Sequence, residues 1–115
     1  MTISKMITDK RRYRQYKTRT KQLPANYHAA IEALERYLTY FGAITKGDVL
    51  MSMLEDLADL FEQSAASGTS VRDVVGQDPV EFAETFAQAY VGKRWIDKER
   101  ARLVQAIEDA ERAEA

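Results

Sequence analysis

Hydrophobic residues recur along this chain at steps of three and four. Tyr27, Ile31, Leu34, Leu38 and Phe41 form one such seam, the helical period of a packing face. Leu50, Met53, Leu54, Leu57 and Phe61 line one face of a later segment, with Glu55, Asp56, Asp59 and Glu62 elsewhere on it. Phe82, Phe86 and Tyr90 mark a further helix, and Ile96, Leu103, Ile107 and Ala110 a last one that is expected to fray over Glu111-Arg112-Ala113-Glu114-Ala115. No segment alternates with period two, and no Asn-Gly type turn joins two apolar runs, so strands are not expected. The pattern predicts an all-α fold without a sheet. It would be a compact helical bundle of about four long helices plus one short helix near Val71–Val75, with residues 1–115 forming a single domain.

The N-terminal segment also reads as a helix, from about Ile3 or Thr8 to Gln22, because the residue before Pro24 avoids the α region. Met6, Tyr13, Tyr16 and Thr20 would share a face, with Lys10, Arg14, Lys17 and Lys21 as a stripe beside it. This helix is expected to pack on the bundle or to extend from it. The second helix should weaken at Gly42 and end before Gly47, with the third opening near Asp48.

The strongest local punctuation lies between Ser67 and Glu81. Gly68 reads as a helix stop, since glycine adopts the left-handed conformation without a steric penalty. Ser70 is placed to cap a short helix, and Gly76 to end it. Asp78, Pro79, Val80 and Glu81 then read as N-cap, N1, N2 and N3, with Glu81 positioned to close a variant capping box. Gly92 is expected to kink or break the chain before the last helix.

Composition narrows the function classes. With 45% hydrophobic residues the 115-residue chain is not disordered by composition. It has no cysteine, which excludes disulfides and thiolate chemistry. No apolar run approaches a membrane span, and the N-terminus has no signal-peptide core, so a cytoplasmic protein without membrane insertion is expected. The net charge of −1 hides a split. Residues 1–22 hold Lys5, Lys10, Arg11, Arg12, Arg14, Lys17, Arg19 and Lys21 against Asp9, a net of +7, whereas residues 23–70 carry −5 and residues 71–115 carry −3. The chain is a basic arm on an acidic body.

Catalytic chemistry is hard to place. His28, Glu32 and Glu35 have ligand spacing on one helical face, but a di-iron bundle site takes a Glu-x-x-His motif from each of two helices, and this chain has one histidine. The pairs Glu55 with Asp59 and Asp59 with Glu62 lie away from the apolar seam, where water keeps carboxylates ordinary, and acid–base work needs one of them desolvated. No phosphate-binding glycine loop is present. The expectation is a non-enzymatic protein with no catalytic residue, metal or cofactor. Trp95, beside Arg94, reads either as core or as an interface anchor.

Several stretches resemble a known family. Tyr13-Arg14-Gln15-Tyr16-Lys17 followed by Leu23-Pro24, the run from Met53 to Glu62, Gly76-Gln77-Asp78-Pro79-Val80-Glu81-Phe82 and Trp95-Ile96-Asp97-Lys98-Glu99-Arg100 are similar to the small bacterial helical proteins grouped as domain of unknown function one thousand and forty-eight. The middle part also resembles the helical domain of membrane proteins encoded beside PadR-type transcriptional regulators, from which this chain departs in having no transmembrane segment. The resemblance implies an all-α bundle and a genomic setting with a PadR-type regulator. It implies no activity, cofactor or catalytic residue.

The functional reading is therefore a regulatory or interaction module. It would bind a protein partner, either a PadR-type regulator or a second copy in a homodimer, through Lys10, Arg11, Arg12, Arg14, Lys17, Arg19 and Lys21, with the acidic third helix and Trp95 as further candidates. The alternative is nucleic acid binding along the same basic helix, with counterions released as phosphates are neutralised. Gly68, Ser70, Gly76, Asp78, Pro79 and Glu81 are expected to act on structure alone.

Overall fold

Six helices follow one another: α1 (Ile3–Lys21), α2 (Ala25–Phe41), α3 (Gly47–Ser67), α4 (Val71–Val75), α5 (Pro79–Gln88) and α6 (Trp95–Glu114). The computed structural model describes residues 3–41, 46–91 and 95–114, with side chains over 8–41, 46–91 and 99–114. No strand occurs among the described residues. The expected positions at Gly42 and Gly92, and the side chains of Met6, Trp95 and Ile96, lie outside the described residues.

The core sits between α1, α2 and α3. Tyr27, Ile31, Leu34 and Leu38 are buried from α2, as the periodic seam predicts, whereas Phe41 at its end is exposed. α3 contributes Met53, Leu54, Leu57 and Phe61, joined by Met51 and Ala58. Tyr16 and Thr20 enter from α1, and Thr20 satisfies its hydroxyl on the Lys17 carbonyl at 3.1 Å. Tyrosine hydroxyls tie the layers together. Tyr13 donates to Glu35 at 2.7 Å, Tyr37 to Glu84 at 2.6 Å, Tyr90 to Asp56 at 2.5 Å, and Tyr27 to the Thr69 carbonyl.

α5 departs from its sequence pattern. Its fully buried residues are Ala83 and Ala87, while Phe82, Phe86 and Tyr90 are only half-buried and form a ladder with ring centroids 5.9 and 5.6 Å apart. The two alanines let the α5 backbone approach α2 closely. The aromatic face then runs along the edge of the body.

Helix count and compactness follow the expectation only approximately. Four helices are long, α4 has 5 residues, and α5 with 10 residues is an additional element of middle length. The radius of gyration is 19.1 Å, against about 13 Å for a compact chain of this length. The reason is α6, in which every described side chain from Glu99 to Glu114 is exposed. Its face of Leu103 and Ile107, expected in the bundle, stands in solvent. No helix among the described residues is long and apolar enough to cross a membrane.

Candidate functional site

α1 divides its charges around Tyr16. At 100° per residue, Arg12 and Arg19 fall on one flank of Tyr16, and Tyr13 and Lys17 on the other. The first flank faces α3. Arg12 donates from Nε and Nη2 to Glu55 at 3.2 and 2.7 Å, and from Nη2 to Ser52 Oγ at 3.2 Å. Arg19 repeats the pattern two turns on, reaching Glu62 at 3.1 and 2.7 Å and also Asp59. Ser52, Glu55, Asp59 and Glu62 are spaced three, four and three apart, so one stripe of α3 meets one stripe of α1. Such two-pronged arginine–carboxylate pairs fix register as well as adding energy. The hydrogen bond from Arg12 to Glu55 holds its guanidinium above the ordinary arginine value despite the opposing cost of burial.

The second flank faces α2. Lys17 Nζ lies 3.0 Å from Glu35 and 4.0 Å from Glu32, and its charge sits 5.6 Å from the Tyr13 ring centre. Burial is the largest single influence on the Lys17 ammonium and opposes it, but the hydrogen bond and charge of Glu35, together with Tyr13, outweigh it and its pKa is raised. The Tyr16 hydroxyl is buried beside this cluster without a hydrogen-bond partner, and burial, reinforced by Glu35, raises its pKa strongly. The carboxylates expected to be bathed in water are thus occupied by cations of the same chain.

What is left of the basic arm is a single sector. Lys10, Arg11, Arg14 and Lys21 are exposed and have no ion-pair partner among the described residues. They occupy an arc of about 100° on the far side of α1. Lys10 and Arg14 border an open apolar hollow of about 620 Å³ lined by Tyr13, Leu50 and Met51. The sequence singles out seven basic residues of one kind. The structure brings Arg12, Lys17 and Arg19 onto α2 and α3 and leaves four outside.

The residues of the Ser67–Glu81 turn build a second feature. Gly68 ends α3 at φ 76°, ψ 15°, with the Thr69 N–H returning to Ser64 O at 2.9 Å. Ser70 Oγ accepts from the Asp73 N–H at 3.1 Å and starts α4. Gly76 ends it at φ 79°, ψ −165°, a region open essentially to glycine alone. Asp78 Oδ1 accepts from the N–H groups of Val80 and Glu81, both at 3.1 Å, and Pro79 opens α5. The cap is half of the expected box: Glu81 supplies its backbone N–H, and no bond runs from its side chain back to Asp78.

These turns set α4 and α5 against α2 as the walls of an apolar cleft of about 470 Å³. Ala30, Ala33, Leu34 and Tyr37 line it from α2, Val71 and Val75 from α4, and Pro79, Val80 and Ala83 from α5, with Arg72 at the rim. Its volume is that of a small-molecule pocket, but its walls present few polar groups. The cleft lies outside the expectations drawn from the sequence. Its signal was the run of small residues Ala30, Ala33 and Ala83, which leave space where larger side chains would fill it.

The histidine cluster does not assemble as a ligand set. His28 Nε2 lies 3.0 Å from Glu32 without hydrogen-bond geometry, and Glu35 is taken up by Lys17 and Tyr13. Among the described residues no group of three or more histidine and carboxylate side chains is placed to hold a metal ion.

No curated protein shows a significant match to the chain. Residues 4–108 match the family described as "Protein of unknown function (DUF1048)", and the chain belongs to that family.

Proposed function

We propose that this chain is a non-enzymatic interaction module that works by holding a protein partner. The observation that carries this reading is α6, where Leu103, Val104 and Ile107 are 64%, 57% and 54% exposed in a row on one helix. An apolar stripe of this kind on a projecting helix marks an interaction site. The resemblance of the middle of the chain to helical domains encoded beside PadR-type regulators supports a regulator as one such partner. The chemistry of α3 agrees with a non-catalytic role, since Glu55, Asp59 and Glu62 all accept from arginines.

The test is capture of partners from lysate by the full chain. Leu103→Lys with Ile107→Lys should remove the captured protein, and reversal of Lys10, Arg11 and Arg14 to glutamate should weaken its capture if the partner also meets the basic sector. Capture that survives the α6 variant would remove the stripe from the mechanism.

A second reading is favoured by the free sector of α1. Lys10, Arg11, Arg14 and Lys21 could follow a phosphate backbone, and binding would then fall steeply as salt rises. A gel-shift series with duplex DNA and with RNA tests it. No shift at about 0.1 M salt, where phosphate contacts still count, sinks it.

A further inference from the structure

The chain exposes two apolar surfaces of matching kind. One is the convex stripe of α6, with Leu103, Val104 and Ile107 in the open. The other is the concave cleft between α2, α4 and α5, which ends at the exposed Val80. No described residue of α6 lines its own chain's cleft. We infer that α6 of one copy seats its stripe in the α2/α4/α5 cleft of a second copy, so that two chains exchange their C-terminal helices. This inference rests on the interaction reading above and names its partner.

Area supports a second copy. The accessible surface is 8189 Å², whereas a compact chain of 13.1 kDa exposes about 6,400 Å². The excess is about 1,800 Å² per chain, or about 3,600 Å² for two, within the roughly 2,000–5,000 Å² that obligate homodimers bury in total. A reciprocal exchange uses both surfaces of both chains and closes after two copies.

Two arginines offer the acidic end of α6 partners at the cleft. Arg100 stands at the N-terminal end of the stripe, and three glutamates follow it: Glu108 beside Val104, and Glu111 and Glu114 in line with it past Ile107. None of the three has an ion-pair partner among the described residues. On the receiving side Arg72 lines the cleft and, among the described residues, bonds only the Gly76 carbonyl, at 3.0 Å. Arg36 lies beside Ala33 and Tyr37 on α2, with its charge over the Tyr40 ring at 5.2 Å. The acidic end of α6 thus finds Arg72, with Arg36 nearby, on a rim that also carries Glu84, bonded to Tyr37 of the cleft. The neighbouring Tyr40 and Phe41 are exposed and continue the apolar surface beyond it.

Light scattering on the full chain should give twice the 13.1 kDa mass. Leu103→Lys with Ile107→Lys, and separately Val80→Lys, should each weaken the dimer by roughly 30-fold or more, the loss expected of an interface anchor. Both sites are exposed in the single chain, so helical circular dichroism should be unchanged. Because the chain has no cysteine, a Val80→Cys chain mixed with a Leu103→Cys chain should form a mixed disulfide dimer under mild oxidation. A dimer that survives Val80→Lys and gives no mixed disulfide overturns the cleft as the seat. A monomer whose radius of gyration falls toward 13 Å overturns the exchange in favour of closure within one chain. A monomer that keeps the extended radius and still captures a lysate protein through α6 overturns self-association while leaving the interaction reading intact.

Discussion

Arg12 of α1 closes a two-pronged ion pair on Glu55 of α3, at 3.2 and 2.7 Å, across 43 positions of sequence. One residue earlier, Arg11 points to solvent. The pair is partly shielded, with side chains 25% and 32% exposed. A double-mutant cycle on Arg12→Ala and Glu55→Ala should return a coupling of about 0.5–1 kcal/mol, shrinking at 1 M salt as exposed charges are screened. Arg11→Ala should stay within about 0.5 kcal/mol of the parent. Equal costs for Arg11 and Arg12 in urea unfolding would contradict the division of the basic arm.

The turns that carry the cleft walls use backbone conformations open to glycine and are held by caps. An added Cβ meets no heavy atom within 4 Å at Gly68 or Gly76, so alanine there tests backbone conformation alone. Gly76→Ala should cost about 1–3 kcal/mol, and more than Gly68→Ala, because left-handed residues other than glycine are tolerated better than residues at ψ −165°. Asp78→Ala should cost ~0.5–2 kcal/mol as a lost cap, with Pro79→Ala nearly silent. Denaturant midpoints at constant slope measure all four.

Tyr16 and Tyr90 should respond oppositely to loss of the hydroxyl. Tyr16 buries an unbonded hydroxyl, so Tyr16→Phe should be neutral or stabilising by up to about 1 kcal/mol. Tyr90 donates to Asp56, so Tyr90→Phe should cost about 1 kcal/mol. Thermal melts of the two variants distinguish them, and a clear loss at Tyr16→Phe would show that its hydroxyl is bonded in solution.

Alkaline pH should loosen the fold. Burial and the bond to Asp56 push Tyr90 up to about 12, and Tyr13, Tyr16 and Tyr37 are raised too. An unfolded phenol ionises near pH 10. Below that pH both states keep their protons and the stabilisation is complete. Between about 10 and 12 the unfolded state loses protons first, and stability falls as pH rises through the folded values. Melting temperature from pH 8 to 12 should therefore decline, less steeply in Tyr90→Phe. A profile that is flat to pH 12 would contradict the assignment.

Most of the helical skeleton was legible in the chain. The seam from Tyr27 to Leu38 and the punctuation at Gly68, Ser70, Gly76, Asp78 and Pro79 appear in the structure where the pattern puts them. The candidate surface was legible only in part. Lys10, Arg12 and Arg14 are alike in sequence, yet Arg12 is engaged and the other two are free. Phe82 and Phe86 outweigh Ala83 and Ala87 on any hydropathy scale, yet the alanines take the buried line of α5 because close approach to α2 favours small side chains.

Capping, glycine stops and helical period act within one turn of backbone, so the residue types alone determined where the helices of this protein begin, end and turn their apolar faces. What covers each face depends on positions some forty residues apart. Only the tertiary structure decided that Arg12 and Arg19 reach the acids of α3, that α2, α4 and α5 leave a cleft between them, and that α6 stands with Leu103 and Ile107 uncovered. A stripe at helical spacing specifies a face to be buried, and the geometry of the chain determines whether its own body or another molecule buries it.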